Sequence, residues 1–399
     1  HLLVREIDRD DARWMRRLVA LTAAAHVVVG VAINSSAHLV ERFGGDAETY
    51  HDGAVGIALH WLRGTPIPTY IGGGKEGLYY ALAALYWLMG PQRLAAVVLT
   101  VLVATLVVPV TADTARRLFG PTAYRPAALI VAVGPGFLIW SSQLLKEGPI
   151  LVCLAVALNL TVRLTRRFEF SYLAGLVAVL AALFTLRAVT AVFALIGLLA
   201  ALALVRRDVM ARSAARAVAV AAALAVVSVV AVGLAGYRSL GSFDLQHIHI
   251  VRSDLANSAD SGFAKDADLT TISGVLHYLP IGVTNLTLGP FPWLAGNARQ
   301  AGGALDAVLL WCFLPSLWRG WRASRSRIGS TCYVLALPAL LLTLALSLLL
   351  GNYGAIVRER LQITVLLVPL VALGWTLRTR RLRPANLRRG ASNEPIEIA

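Results

Sequence analysis

The sequence predicts an all-α, polytopic membrane protein of about ten transmembrane helices, with further helices at the outer juxtamembrane surface. Three observations predict it. Hydrophobic residues make up 57% of the 399-residue chain, only 15% of residues are charged, and the mean hydropathy is +0.68, far from the composition of a soluble domain. Several apolar runs approach the roughly 20 residues that a helix needs to cross a hydrocarbon core, where every backbone polar group must be satisfied within the helix itself. The basic residues fall in short clusters between those runs, which is how orientation signals are distributed. The net charge of +15 therefore predicts no nucleic-acid partner.

In chain order, the apolar runs predict spans at 17–35, 94–113, 125–141, 148–163, 170–186, 188–205, 215–236, 303–318, 330–351 and 361–377. The arginine-rich start (Arg5, Arg9, Arg13, Arg16, Arg17) is expected to lead into a first span that remains as an anchor. The segment from Glu76 to Gly90 is short: about 22 Å of helix against a core of roughly 30 Å. Charge decides its place. If it does not cross, the inner side carries 25 of the 37 Lys and Arg residues; if it crosses, the inner side carries 14, against the positive-inside tendency. It is therefore expected to lie in the outer interface, where Tyr79, Tyr80, Tyr86 and Trp87 suit the headgroup zone. Gly134-Pro135-Gly136 is the conspicuous helix breaker, near the end of the third span.

This topology puts both termini in the cytoplasm and divides the chain into an N-terminal transmembrane module over 1–236 with a first outer loop at 36–93, a large outer loop at 237–302, C-terminal transmembrane helices over 303–377, and a basic cytoplasmic tail over 378–399. The tail suits contact with anionic membrane lipids. Cys153, Cys312 and Cys332 lie in or at the ends of apolar runs and form no CxxC, so neither a disulfide framework nor a zinc site is expected. No Walker loop, HExxH, GxSxG or dinucleotide-binding glycine motif is present. Arginine outnumbers lysine 34 to 3, which suggests a GC-rich bacterial genome, a cytoplasmic membrane location and a cell-envelope substrate.

Three ionisable clusters converge on the outer side: Gly44-Gly45-Asp46-Ala47-Glu48-Thr49-Tyr50-His51-Asp52, Lys146-Glu147, and Arg358-Glu359-Arg360. Convergence of this kind against a bilayer suggests an active site. Asp46 is either an N-cap of the helix that follows or a general base accepting a proton from an attacking hydroxyl. On that helix it shares a face with Tyr50, while Glu48 points elsewhere and is an assisting or metal-side acid. Lys146 and Glu147 are either snorkelling interface residues or a phosphate-binding cation beside a second acid; that acid could also hold a divalent cation. Arginine is disfavoured outside, so Arg358 and Arg360 need a reason. Residues two apart on a helix face different ways; Arg358 is expected to meet an anionic group and Arg360 to pair with Glu359 or lipid. Arg187 is a further phosphate candidate, Tyr50, His51 and Tyr79 are substrate-binding candidates, and His247-x-His249 reads as solvated loop histidines more readily than as a metal site.

In order, these residues resemble membrane glycosyltransferases of the GT-C class, the group that includes protein-mannosyltransferase-like and aminoarabinose-transferase-like enzymes. Gly45-Asp46-Ala47-Glu48-Thr49-Tyr50 is similar to the family's outer-loop acidic signature. The stretch from Gly77 to Gly90 resembles its juxtamembrane helix, and Lys146-Glu147 follows as the acidic second outer loop. The likeness is strongest over about the first 170 residues. Here Ala47 separates two acids that the family often has adjacent, and Glu147 stands where aspartate is common. The resemblance implies Asp46 as base, Glu147 as second-loop acid, and a polyprenyl-phosphate sugar donor whose phosphate meets Arg358, Arg187 or Lys146, with a glycan or lipid as acceptor. The competing expectations are a surface-polysaccharide polymerase or ligase using lipid-linked oligosaccharide, and a transporter or flippase. The latter predicts charge buried mid-span, whereas the spans here are nearly free of it, His26, Asp306 and Asp113 being the exceptions.

Overall fold

The computed structural model describes residues 8–36, 39, 46–67, 76–205, 244–295 and 298–382. The expected span at 215–236 and the end of the basic tail lie outside the described residues. Within them the chain is helical, with no β-strand. The helices are α1 (Arg9–Asn34), α2 (Ala47–Arg63), α3 (Glu76–Met89), α4 (Arg93–Thr105), α5 (Val107–Phe119), α6 (Tyr124–Ala132), α7 (Pro135–Ser141) and α8 (Glu147–Arg166). They continue with α9 (Phe170–Leu186), α10 (Ala188–Val205), α11 (Leu245–Asn257), α12 (Ile272–Leu288), α13 (Ala298–Ile328), α14 (Tyr333–Leu349) and α15 (Tyr353–Leu382). Nine of the ten expected spans fall on these helices, and 170–186 and 188–205 coincide with α9 and α10.

By length and hydropathy, α1, the α4–α5 stretch, α8, α10, the Gln300–Leu349 stretch containing α13 and α14, and α15 can cross a bilayer. The α6–α7 pair qualifies if counted as one broken span, and α9, with 17 apolar residues, is slightly shorter. The break is where the sequence places it: Gly134 takes an extended conformation before Pro135, and the two helices bend by 56°. Glycine also ends α2, where Gly64 turns the chain at φ 64°.

Lipid tails are as apolar as leucine, so helices in such a fold hold together by close packing and polar contacts rather than by hydrophobic transfer. The α13–α15 pair shows how. A Cβ on Gly320 would strike the Leu370 carbonyl, and one on Gly374 the Ser316 carbonyl; the two glycines let the backbones touch. Polar contacts fasten the far end of α8. Buried Asp113 accepts from Arg116 (2.9 Å), Arg117 (2.7 Å), Arg163 (3.1 Å) and Asn159 (3.0 Å). Arg163 stands about 24 Å along α8 from Glu147, so this cluster and the candidate site occupy opposite ends of the bundle. The most buried of the crossing helices, α8 and α15, form its centre, and both carry acidic or basic residues at their starts.

The short helices α2 and α3 pack on each other beside the start of α8. The Tyr79 ring lies against Gly53, Tyr50 and Tyr79 rings are 5.0 Å apart, and the His51 ring nitrogen Nδ1 is 2.8 Å from the Tyr86 hydroxyl. The 237–302 segment is not structureless: α11 and α12 occupy most of its described part. The 258–264 segment pins to the turn before α15 through a Gly262–Asn352 bridge, Phe263 N–H to the Gly351 carbonyl (3.0 Å) and Tyr353 N–H to the Ser261 carbonyl (3.2 Å).

Candidate active site

Five ionisable side chains from four parts of the chain form one network. Arg358, in the second turn of α15, lies with one terminal nitrogen 3.4 Å from Asp46 Oδ2 and with Nε 3.0 Å from Glu147 Oε1. Arg187, at the turn between α9 and α10, sits 3.5 Å from the same Glu147 oxygen and pairs closely with Glu359. The chain of contacts thus runs Asp46, Arg358, Glu147, Arg187, Glu359. Burial separates the roles of the two central acids: the Asp46 side chain is 50% exposed and the Glu147 side chain 3%.

Asp46 occupies the N-cap position of α2, yet its side chain makes no capping hydrogen bond. Of the two readings open from the sequence, local capping is therefore not what holds this carboxylate; Arg358 is its partner. Tyr50 follows one turn later, its N–H donating to the Asp46 carbonyl at 3.0 Å. The Tyr50 ring is buried and its hydroxyl has no hydrogen-bond partner among the described residues. Burial, then the Glu147 and Asp46 carboxylates, push its pKa well above the ordinary phenol range. Burial and Asp46 also raise Tyr79. These phenols stay protonated, so each keeps an O–H that can donate.

A cavity of about 470 Å³ opens beside this network. Asp46 and Arg358 line it together with Trp140, Asp260 and Ser261 of the 258–264 segment, Gly303, Asp306 and Tyr353. Arg358 is the sole Lys or Arg among its lining residues. Lys146 is buried at the start of α8, and Arg187 is held between two carboxylates. Glu48 is exposed on the outer side of α2, as its helical phase predicts. His51 is engaged by Tyr86 and is not among the lining residues.

Arg360 differs from expectation. Its carboxylate partner is Asp306 rather than Glu359: one terminal nitrogen donates to Asp306 Oδ2 at 2.8 Å and the other to the Gly289 carbonyl. Two residues along a helix turn a side chain by about 200°, which carries Arg360 from the α2–α8 side to α13. From the sequence Glu359 is expected to be only a local partner for an arginine; its contact with Arg187 depends on where α10 packs. The sequence marks Asp306 as an ionisable residue near a span end and gives it no partner. The His247-x-His249 pair shows no metal arrangement: His249 Nδ1 accepts the Leu269 N–H at 3.3 Å. Among the described residues, no three His, Cys, Asp or Glu side chains converge as ligands.

A second, apolar cavity of about 210 Å³ lies between α5, α6, α7, α13 and α15, lined by residues such as Val107, Leu309, Phe313, Leu361, Val365 and Val368. Asp306 lines both cavities.

Residues 77–232 match the family model for dolichyl-phosphate-mannose-protein mannosyltransferases. That stretch contains Tyr79, Lys146, Glu147 and Arg187, while Asp46 and Arg358 lie outside it. Among solved structures, the chain is similar to ArnT from Cupriavidus metallidurans bound to undecaprenyl phosphate, with a TM-score of 0.53 and 15% identity over 93% of this chain. The match covers 61% of that longer chain. No curated protein matches. The resemblance to GT-C membrane glycosyltransferases is borne out in the match of part of the chain to that family model and in the fold.

Proposed function

We propose that this GT-C-fold protein transfers a sugar from a polyprenyl-phosphate donor to a hydroxyl of a cell-envelope glycan or lipid acceptor, on the outer face of a bacterial cytoplasmic membrane. One observation carries the reading: a half-exposed carboxylate, Asp46, and an arginine, Arg358, meet at the wall of a cavity that also holds Asp260 and Asp306 and adjoins an apolar groove between helices. That juxtaposition suits a lipid phosphate whose chain lies in hydrocarbon and whose sugar faces water. The relative bound to undecaprenyl phosphate supports the donor class.

In this reading the acceptor oxygen attacks the anomeric carbon as Asp46 takes its proton. The bond from that carbon to the phosphate oxygen breaks, and its electron pair leaves with the phosphate. Arg358 stabilises the charge developing there, in a site where burial strengthens such a contact. Carboxylates nearby tolerate the oxocarbenium character of the sugar. Glu147, buried behind Arg358 and Arg187, acts by holding both guanidinium groups in place. Tyr50 offers a buried O–H donor to substrate. No nucleotide is needed, because the lipid phosphate is the leaving group.

The test is transfer from labelled polyprenyl-phosphate sugar by purified protein in lipid. Asp46→Asn should abolish turnover while folding and membrane level stay intact. Retained turnover would reassign the base.

A further inference from the structure

Two helices are ordered along their length like the lipid they would hold. On α13, Gly303 lines the polar cavity, Asp306 follows one turn later, and Leu309, Leu310 and Phe313 line the apolar groove after it. On α15 the order repeats: Tyr353 to Arg358 at the polar cavity, then Arg360, then Leu361, Val365 and Val368 in the groove. At the joint of head and tail regions sits one ion pair, Asp306 with Arg360, at 2.8 Å.

That pair has the form of an occupied anion site. Asp306 Oδ2 accepts from Arg360 and Oδ1 from the Gly136 N–H at 3.1 Å. The guanidinium is 96% buried and its Nε has no hydrogen-bond partner, so donor capacity remains unspent. Position 136 is kept clear, since a Cβ there would come within 2.8 Å of Asp306 Oδ1. Guanidinium forks bind carboxylate and phosphate with the same geometry.

Resting on the polyprenyl-phosphate reading above, we infer that Asp306 is a stand-in anion, holding on Arg360 and the Gly136 N–H the place that one oxygen of the donor's phosphate takes on binding, while Arg358, which lines the same cavity as Asp306 and Gly136, meets the phosphate from the cavity side. The phosphate displaces the carboxylate, which swings into the adjoining polar cavity, and Arg360 also satisfies its free Nε–H. The exchange trades one anion for another without leaving the buried guanidinium uncompensated, which would be strongly destabilising. Free protein thus keeps the lipid seat ordered and filled, and its affinity for the lipid is set partly by how well Asp306 competes.

The experiment measures binding of undecaprenyl phosphate, and of uncharged undecaprenol as control, to full-length protein in lipid nanodiscs. Asp306→Asn removes the competing charge and keeps the shape; it should bind undecaprenyl phosphate roughly ten-fold tighter with undecaprenol unchanged, whereas Arg360→Gln should bind the phosphate more weakly. An Asp306→Asn protein that is folded but binds no tighter overturns the inference. Wild-type protein with bound undecaprenyl phosphate, imaged by cryo-EM, gives a check independent of any variant: the phosphate should contact Arg360 with Asp306 turned away, and an intact Asp306–Arg360 pair would sink the idea. If wild type binds no undecaprenyl phosphate at all, the donor reading itself fails; if it binds and Asp306→Asn binds equally, only the exchange fails.

Discussion

Asp46 and Arg358, 312 positions apart in the chain, meet at 3.4 Å. Arg358 is at the same time 3.0 Å from Glu147, so the start of α15 is fastened to the start of α8 and to the cap of α2 through one side chain. Such a cation can hold the half-exposed Asp46 in one orientation and still present charge to the cavity.

Removing that cation should therefore affect donor use more than folding of the remaining bundle. Arg358→Ala is expected to lower transfer efficiency about 10- to 100-fold, mainly by raising the donor requirement. Arg378→Ala, exposed near the other end of α15, should leave it unchanged. Initial rates over a donor titration check this, and equal effects of the two changes would remove Arg358 from the phosphate.

Glu147 compensates two guanidinium groups and is itself almost fully buried. Glu147→Gln should cost about 1–3 kcal/mol of stability, because it removes the carboxylate that both guanidinium groups share and leaves Arg358 with Asp46 and Arg187 with Glu359 alone. The double change Glu147→Gln with Arg187→Gln should recover part of that loss, since one of the two under-compensated cations is gone. Thermal unfolding in detergent measures both. A double variant no more stable than the single one would show that Glu147 does not act through Arg187.

Tyr50 separates stability from function. Its hydroxyl is buried without a partner, so Tyr50→Phe should leave stability unchanged or raise it by about 1 kcal/mol. If the hydroxyl donates to substrate, transfer should nonetheless fall about ten-fold. Turnover equal to wild type would leave the residue a packing role against Tyr79.

Much of this was legible in the sequence, and the gaps have physical causes. Helices α9 and α10 match their expected bounds to the residue because uncharged apolar runs end there at Arg187 and at the next basic cluster. Helices α13 and α15 extend well beyond the expected 303–318 and 361–377 because arginine is a good helix former, so charge marks where an apolar stretch ends rather than where the helix does. The meeting of Asp46, Glu147, Arg187 and Arg358 followed from placing outer charges by arginine count. Which arginine takes which acid did not follow. That depends on helix phase combined with the identity of the neighbour, and Arg360 finds Asp306 only because α13 lies on that side of α15.

His51 gives the fold a pH dependence with a definite sign. Burial lowers its pKa from the ordinary 6.5, and Arg93 lowers it further, against opposing contributions from Asp52 and Glu48. Burial pushes the neighbouring Tyr86 up to about 12, so its hydroxyl stays protonated and can donate to the neutral imidazole. A histidine whose folded pKa lies below its unfolded value adds no penalty above pH 6.5, where both states are neutral. As pH falls below 6.5 the unfolded chain takes up the proton first, so stability declines until the folded ring is protonated too. The α2–α3 pair should therefore loosen on mild acidification, and Asp46 at the cap of α2 with it. Unfolding temperatures measured between pH 7.5 and 5 should drop for wild type and drop less for His51→Gln, which keeps a hydrogen-bonding side chain but does not titrate. Parallel curves for the two proteins would place the acid sensitivity elsewhere.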